Sequence, residues 1–165
     1  MSMKRIKRRL NVFLEIFGLP RLASNVGTIY LITTSSQSKG EQDFKRVLED
    51  NNIRIERTLR MDLSNGKQAL ANAIRRLGHA LEKGDIVAIV RGGGDIRDKQ
   101  FQTFRDPNAC RLIDNYQDEN GVKFVSGVGH ASDTFEIDKH VEISAITPTD
   151  AARHVISLVK NSEYL

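Results

Sequence analysis

Short apolar runs alternate with amphipathic segments along the chain after residue 20. Residues 28–33 (TIYLIT), 86–90 (IVAIV) and 122–127 (VKFVSG) are too short for ordinary helices and rich in β-branched residues, so each predicts a buried strand. Residues 53–61 (IRIERTLRM) alternate apolar and charged side chains, which favours a strand near a sheet edge. Residues 141–145 (VEISA) are also strand-like. The pattern therefore predicts five strands.

The segments between these strands have helical periodicity. Residues 41–51 place apolar side chains on one face, and residues 67–84 carry an apolar stripe that ends at Gly84. A third helical region ends in RLIDNY, before a polar loop at residues 117–121 (QDENG). The last helix opens at Thr147-Pro148, where proline suits the first turn, and continues to residue 160.

Strand and helix alternate five times, which predicts an α/β fold with a mainly parallel, doubly wound, five-stranded sheet and helices on both faces. Right-handed crossovers restrict the topology, and a flavodoxin-like strand order of 2-1-3-4-5 is the first expectation. We expect residues 21–165 to form a single domain. Residues 1–20 are expected to form a basic N-terminal arm or helix.

Three polar or glycine-rich segments follow strands one, three and four. They are TTSSQSKG, RGGGD and GVGH, and in the expected strand order they meet at one edge of the sheet. Open parallel sheets bind ligands outside the carboxyl ends of their strands. The candidate phosphate-binding residues in these segments are Thr34, Ser35, Ser36, Gly92, Gly93, Gly94 and Gly129.

Arg91 and the glycines behind it suit an anion. Glycines allow a close approach of the backbone, helix N-termini bind anions through their N–H groups, and a guanidinium offers a planar fork to a phosphate. The alternative is a tight turn with a solvent-facing arginine. Likewise, the hydroxyls of residues 33–36 could bind phosphate or only cap the following helix.

His130 follows a glycine-rich strand end and precedes Asp133 by three residues. A histidine oriented by a carboxylate transfers protons near neutral pH, so this pair is a candidate acid–base site. Asp43, expected in the first turn of the first helix, either points toward the same pocket or only complements the helix dipole. The other histidines, His79, His140 and His154, are expected to be structural.

The composition excludes several classes. The 25 Lys and Arg exceed the 21 Asp and Glu by four, and five basic residues lie within the first nine. The apolar stretch behind them is short and contains Glu15, which argues against a signal peptide. No run approaches the length of a membrane span, and the single cysteine, Cys110, forms no internal disulfide. We expect a cytoplasmic protein with no membrane association.

The basic start is open to three interpretations: a solvated arm, an arm that finds phosphates, or an amphipathic helix that packs on the core or on a second copy of the chain. Self-association is therefore left open. No metal-binding motif is present, so no cofactor is expected to be required and the sequence gives no support for Mg²⁺.

Three motifs resemble the catalytic domain of the exonuclease VII large subunit. The runs IVAIVRGGGDIRD, GVGHASDTFEID and ITPTDAA are similar to the family patterns RGGGS-x-ED, GHETD with a further Asp, and TPTAAA. LITTSSQSKGEQD is similar to ITSP-x-GAAxxD, with one insertion. Positions in register without a gap are Gly129, His130, Asp133, Asp138, Ala145, Thr147, Pro148, Thr149, Ala151 and Ala152.

The resemblance implies a doubly wound domain that hydrolyses phosphodiester bonds of single-stranded DNA without added divalent metal. It carries the functional residues over to Arg91, His130, Asp133 and Asp43. The family's glutamate in GHETD is Ala131 here, and the family's OB-fold and coiled-coil regions do not fit in this chain. A small-subunit partner is therefore doubtful.

Two other functions remain as alternatives. Ala131 and the missing flanking regions are compatible with an inactive nucleic-acid or nucleotide-binding module. GGGD also loosely resembles the GGDG turn of nucleotide and lipid kinases, although that fragment is short and its residues occur in a different order.

Overall fold

A computed structural model describes residues 16–17, 27–34, 38–91, 99–128 and 134–162. Five parallel strands form one sheet in the order β2-β1-β3-β4-β5. The strands are β1 (Ile29–Thr33), β2 (Ile55–Arg60), β3 (Ile86–Val90), β4 (Lys123–Gly127) and β5 (Ile143–Ser144). The predicted fold class and strand order are confirmed.

Four α-helices lie in the described part of the chain: α1 (Lys39–Asp50), α2 (Ala69–Gly78), α3 (Pro107–Asn120) and α4 (Pro148–Ser162). Three 3-10 helices join them to the strands: the first at Leu63–Gln68, the second at Lys99–Arg105 and the third at Glu136–Lys139. Within the described ranges, none of the helices has the length and apolar character that a bilayer crossing requires.

The sheet separates two apolar cores because successive side chains of a strand point to opposite faces. Ile29 and Leu31 of β1 pack with α1 and α4, whereas Tyr30 and Ile32 pack with α2 and α3. Every residue of β1 and β3 is buried, as expected for central strands of a parallel sheet covered on both sides. The molecule therefore has three layers.

The strand register defines the edge where the loops leave. Thr33 pairs with Arg60 of β2 and with Val90 of β3, and Val90 pairs with Gly127 of β4. The next residues of β1, β3 and β4 are Thr34, Arg91 and Val128, so they form the rim that we call the carboxyl edge. The three polar segments therefore do leave from adjacent strands.

The N-terminus of α4 lies close to this edge because Gly127 has no side chain. A Cβ atom at Gly127 would approach the Ala151 Cβ to 2.9 Å and the Thr147 carbonyl oxygen to 3.3 Å. The Thr147 side chain accepts a hydrogen bond from the Asp150 N–H (3.1 Å) and so caps the helix. A side chain at position 127 would thus collide with the start of α4, which explains why a glycine stands there.

Several predicted boundaries are wrong, three of them by the widest margin or with a clear structural reason. The helix predicted for residues 67–84 is only Ala69–Gly78, preceded by a 3-10 turn, and Gly84 instead forms a separate turn with a φ of 86°. The polar loop predicted at 117–121 is mostly the last turn of α3, and Gly121, in the left-handed conformation, caps the end of that helix. Only Ile143–Ser144 of the fifth predicted strand pair with β4.

The predicted basic arm at residues 1–20 falls almost entirely outside the described residues. Of that segment, Ile16 and Phe17 are described, and both side chains are exposed.

Candidate phosphate-binding edge

Arg91 begins the segment after β3 and is buried, with 4% of its surface exposed. Its Nε donates a hydrogen bond of 2.5 Å to the carbonyl oxygen of Val128, beside it on the carboxyl edge. The guanidinium carbon lies 4.6 Å from the ring centroid of Phe101 and 5.7 Å from that of Phe135. The alternative of a solvent-facing arginine is therefore wrong, and Arg91 is fixed between aromatic rings.

The contact with Val128 fixes the start of the segment that carries the predicted histidine. Val128 is the last described residue before residues 129–133, where the candidate residues Gly129, His130 and Asp133 lie. Arg91 thus joins the end of β3 to the exit of β4.

A second set of hydrogen bonds fixes the other end of that segment. Asp138 accepts a bond of 2.6 Å from the buried hydroxyl of Ser126 on β4, and its other oxygen accepts the Phe135 N–H at 2.8 Å. One carboxylate therefore ties the third 3-10 helix and the chain entering it to β4. The described chain is therefore held by hydrogen bonds on both sides of residues 129–133: at Val128 before them, and at Phe135 and Asp138 after them.

The exit of β1 carries one described candidate, Thr34, which is 7% exposed. Its carbonyl oxygen accepts a bond of 3.3 Å from Arg60 at the end of β2. The neighbouring Thr33 hydroxyl is fully buried and has no hydrogen-bond partner among the described residues. Ser38, rather than residues 33–36, is the N-cap of α1, since its Oγ accepts the Glu41 N–H at 3.1 Å.

A buried ion cluster lies beside this exit. The carboxylate of Glu41, 1% exposed, accepts two hydrogen bonds from Arg60 (2.7 and 2.8 Å) and one from Lys45 (2.7 Å). Burial by itself would raise the pKa of Glu41, but the bonds from the two cations outweigh it and hold that pKa below its ordinary value. The Glu41–Arg60 bonds connect α1 to β2, and the bond from Arg60 to the Thr34 carbonyl connects both to the end of β1.

Asp43 lies in the second turn of α1 and is half-buried, so its predicted place in the first turn is wrong. The helix begins at Lys39, earlier than the apolar pattern indicated, because Ser38 caps it. The acidic residue of the first turn is Glu41.

The second 3-10 helix follows the glycine segment and is firmly packed. Phe101 and Phe104 are buried, with ring centroids 6.1 Å apart, and Phe104 lies 5.3 Å from Phe135. The Thr103 hydroxyl accepts a bond of 2.7 Å from the Leu70 N–H at the start of α2. Arg105, the last residue of this helix, is exposed, and its guanidinium carbon lies 5.0 Å from the Phe135 centroid.

Several predicted site residues lie outside the described residues, and their candidacy stays a prediction. They are Ser35, Ser36, Gly92, Gly93, Gly94, Gly129, His130 and Asp133. In the described ranges, no group of three or more His, Cys, Asp or Glu side chains is placed to hold a metal ion.

The three histidines expected to be structural take no part in the contacts of Arg91 or Asp138 described above. The Nδ1 of His140 is 2.9 Å from Asp114, and His154 faces Asp150 on α4 at 3.8 Å. His79 is exposed at the end of α2.

The roles of four residues were not predicted from the sequence: Glu41, Arg60, Asp138 and Arg105. The S-x-x-E spacing of Ser38 and Glu41 is a capping signal that would have located the start of α1. Asp138 matches a family position, but the pattern does not indicate its hydrogen bonds. Arg60 and Arg105 carry no local signal, because their partners are 19 and 30 residues away along the chain.

Comparisons with known proteins identify the family to which the chain is similar. The family model for "Exonuclease VII, large subunit" matches residues 18–163. Over 139 residues, 84% of this chain and 33% of the relative, the chain is 34% identical to the exodeoxyribonuclease 7 large subunit of Pseudothermotoga lettingae. It is 32% identical to that of Mycobacterium sp. (strain KMS), covering 90% of this chain and 36% of the relative. The Corynebacterium efficiens protein is 30% identical over 89% of the chain.

Proposed function

Because the chain belongs to the exonuclease VII large subunit family, we propose that it hydrolyses phosphodiester bonds of single-stranded DNA at the carboxyl edge of its sheet. The chain spans about a third of the length of the curated relatives it matches. The observation that carries the proposal is the Arg91–Val128 contact, which brings a fixed guanidinium to the start of the segment containing His130.

Arg91 supplies positive charge at the reacting phosphate. Its Nε donates to the Val128 carbonyl, so the guanidinium is held at the edge where we propose that the phosphate binds. A fixed, buried cation stabilises charge developing on phosphoryl oxygens without reorganising during the reaction. The backbone N–H groups of Gly92, Gly93 and Gly94 would complete the clamp.

His130 transfers the proton, and Asp133 holds its tautomer. Water attacks phosphorus, one P–O ester bond breaks, and the products are a phosphate monoester and an alcohol. Water loses one proton and the leaving oxygen gains one, so a single imidazole at the phosphate serves either transfer. Asp43, one turn into α1, orients the attacking water.

The residues after β1 hold the non-bridging oxygens in this scheme. The buried Thr33 hydroxyl and Thr34 are adjacent to Ser35 and Ser36, and the N-terminus of α1 follows them. Helix N-termini and hydroxyls are suited to a phosphate. The hydrolysis is proposed to need no added divalent metal, in line with the family resemblance.

The second candidate function is binding without cleavage, which Ala131 favours because the family pattern has a glutamate there. Both functions require binding of the strand, and only the first yields shortened products. A binding measurement alone therefore does not separate them.

The test is incubation of the purified chain with end-labelled single-stranded DNA, with and without EDTA, beside a His130→Ala variant. We expect shortened products from the unsubstituted chain in both buffers and none from the variant, with unchanged thermal unfolding. Salt-dependent binding without any product would instead establish the binding module. Loss of products in EDTA would overturn the metal-independent chemistry alone.

A further inference from the structure

Arg105 contacts an aromatic ring beside the carboxyl edge and forms no ion pair with a described residue. Its side chain is exposed, and its guanidinium carbon lies 5.0 Å from the Phe135 ring centroid. Phe135 is itself 1% exposed and packs on Phe104, so the platform under the guanidinium is rigid. A cation over a ring face is attracted to the ring without using its N–H groups in conventional hydrogen bonds, so those donors can still bind an anion.

The polar nitrogens of Arg105 have no acidic or hydrogen-bonding partner among the residues that the structure describes. Arg46, Arg54, Arg57 and Arg153 are also exposed and also have no partner among the described residues, but Arg105 differs from them in lying over an aromatic ring. Two further exposed arginines are engaged by neighbouring side chains. Arg75 donates to Asn72 at 3.1 Å, and Arg111 donates to Asn108 at 2.5 Å. A fixed guanidinium whose donors are not engaged by described groups is pre-organised for an external anion.

Arg105 and Arg91 share one aromatic ring. The Arg91 carbon lies 5.7 Å from the Phe135 centroid, and the Arg105 carbon lies 5.0 Å from it. The separation of the two cations cannot exceed the sum of these distances. Both guanidinium groups are therefore close enough for one strand to contact them together. Arg91 is buried and Arg105 is exposed. A polynucleotide backbone crossing the edge would therefore contact Arg105 at the surface and Arg91 deeper in the site.

We propose that Arg105 binds a phosphate next to the one that is cleaved, and so makes the site selective for a polynucleotide strand over an isolated phosphodiester. This inference rests on the proposed function, because it takes Arg91 as the contact to the cleaved phosphate. The contact is to the backbone, so it is independent of base sequence.

The first test measures binding of a fluorescein-labelled oligo(dT) strand as a function of salt, in a His130→Ala background that prevents cleavage. Removing one phosphate contact from a single strand lowers the slope of log K against log salt by about 0.7. Arg105→Gln should show this change and bind about tenfold more weakly at low salt, since a charge-assisted bond is lost. Arg75→Gln is the matched control, because Arg75 is also exposed but lies in the last turn of α2, at the opposite end of the layer.

The second test separates this inference from the proposed function. In the otherwise unsubstituted chain, Arg105→Gln should raise the KM for oligo(dT) about tenfold with little change in kcat, and should leave hydrolysis of bis(p-nitrophenyl) phosphate, which has one phosphodiester, unchanged. If the unsubstituted chain cleaves the strand and Arg105→Gln matches Arg75→Gln in slope and KM, Arg105 does not contact the backbone. If the unsubstituted chain cleaves nothing, the proposed function fails. The slope measurement still decides the strand contact in that case.

Discussion

At the scale of single residues, the Glu41 cluster shows how charge and burial combine beside the candidate site. A carboxylate with 1% exposure would be strongly destabilised alone, and the bidentate pair with Arg60 plus the bond from Lys45 offset this. Arg60 also bonds the Thr34 carbonyl, so the cluster determines where the segment after β1 begins.

Replacing Glu41 with Gln should lower the free energy of unfolding by about 2 kcal/mol, because the amide cannot accept all the bonds from the two cations. Chemical denaturation at pH 7 measures the change. Glu49→Gln is the control, since Glu49 is exposed on the same helix. Equal stability of the two variants would mean that the buried cluster contributes nothing.

The same residue gives a pH dependence with a defined sign. The pKa of Glu41 is lower in the folded chain than its unfolded value of about 4.3, so its stabilisation is fully present above that pH and is lost as pH falls through the folded pKa. The stability difference between the chain and Glu41→Gln should therefore shrink below about pH 4. A difference that grows on acidification would contradict the assigned pKa direction.

The candidate chemistry was predictable at residue scale only where it had a local signal. Arg91 follows a strand and precedes three glycines, and that context indicated its place on the edge. Its burial and its bond to Val128 depend on residues 37 positions away, which no local pattern encodes.

At the scale of elements, Asp138 connects the third 3-10 helix to β4. Its two oxygens accept hydrogen bonds from the Ser126 hydroxyl and from the Phe135 N–H, so both are engaged within the protein. We therefore expect Asp138 to position residues 129–133, because its two partners, Ser126 and Phe135, lie on either side of that segment in the chain.

Asp138→Asn should reduce kcat for strand cleavage by about ten- to a hundredfold with little change in binding, because small misplacement of a reacting group is costly while the charges that bind the strand remain. Asp118→Asn, on the exposed side of α3, is the control. Single-turnover rates and binding of the same strand measure the two effects separately. Equal losses in both would show that Asp138 only supports the fold.

The wrong helix boundaries have a tertiary cause. Gly84 was a plausible end for the second predicted helix, but α2 ends at Gly78, and Gly84 instead donates its N–H to the Gly121 carbonyl at 2.9 Å. The polar end of α3 looked like a loop, yet the Gln117 side chain there accepts the Phe124 and Glu142 N–H groups and donates to the His140 carbonyl. Such contacts between elements are not visible in a local pattern.

At the scale of the whole molecule, the strand order was predictable because alternation of strands and helices leaves few right-handed topologies. That order placed the exits of β1, β3 and β4 side by side before any contact was known. The aromatic platform of Phe101, Phe104 and Phe135, which carries Arg91 and Arg105, assembles from two distant segments and was not predicted.

The central claim is that Arg91 and His130 act on one phosphate at this edge. Its most direct test is the single-turnover cleavage rate of end-labelled oligo(dT) by the unsubstituted chain, Arg91→Lys, His130→Ala and the double variant, with thermal unfolding as the folding control. Groups that act as a unit are non-additive, so we expect each single change to slow cleavage at least about a hundredfold and the double variant to be about as slow as His130→Ala alone. An unsubstituted chain that makes no product, or two losses that multiply in a folded double variant, would contradict the claim.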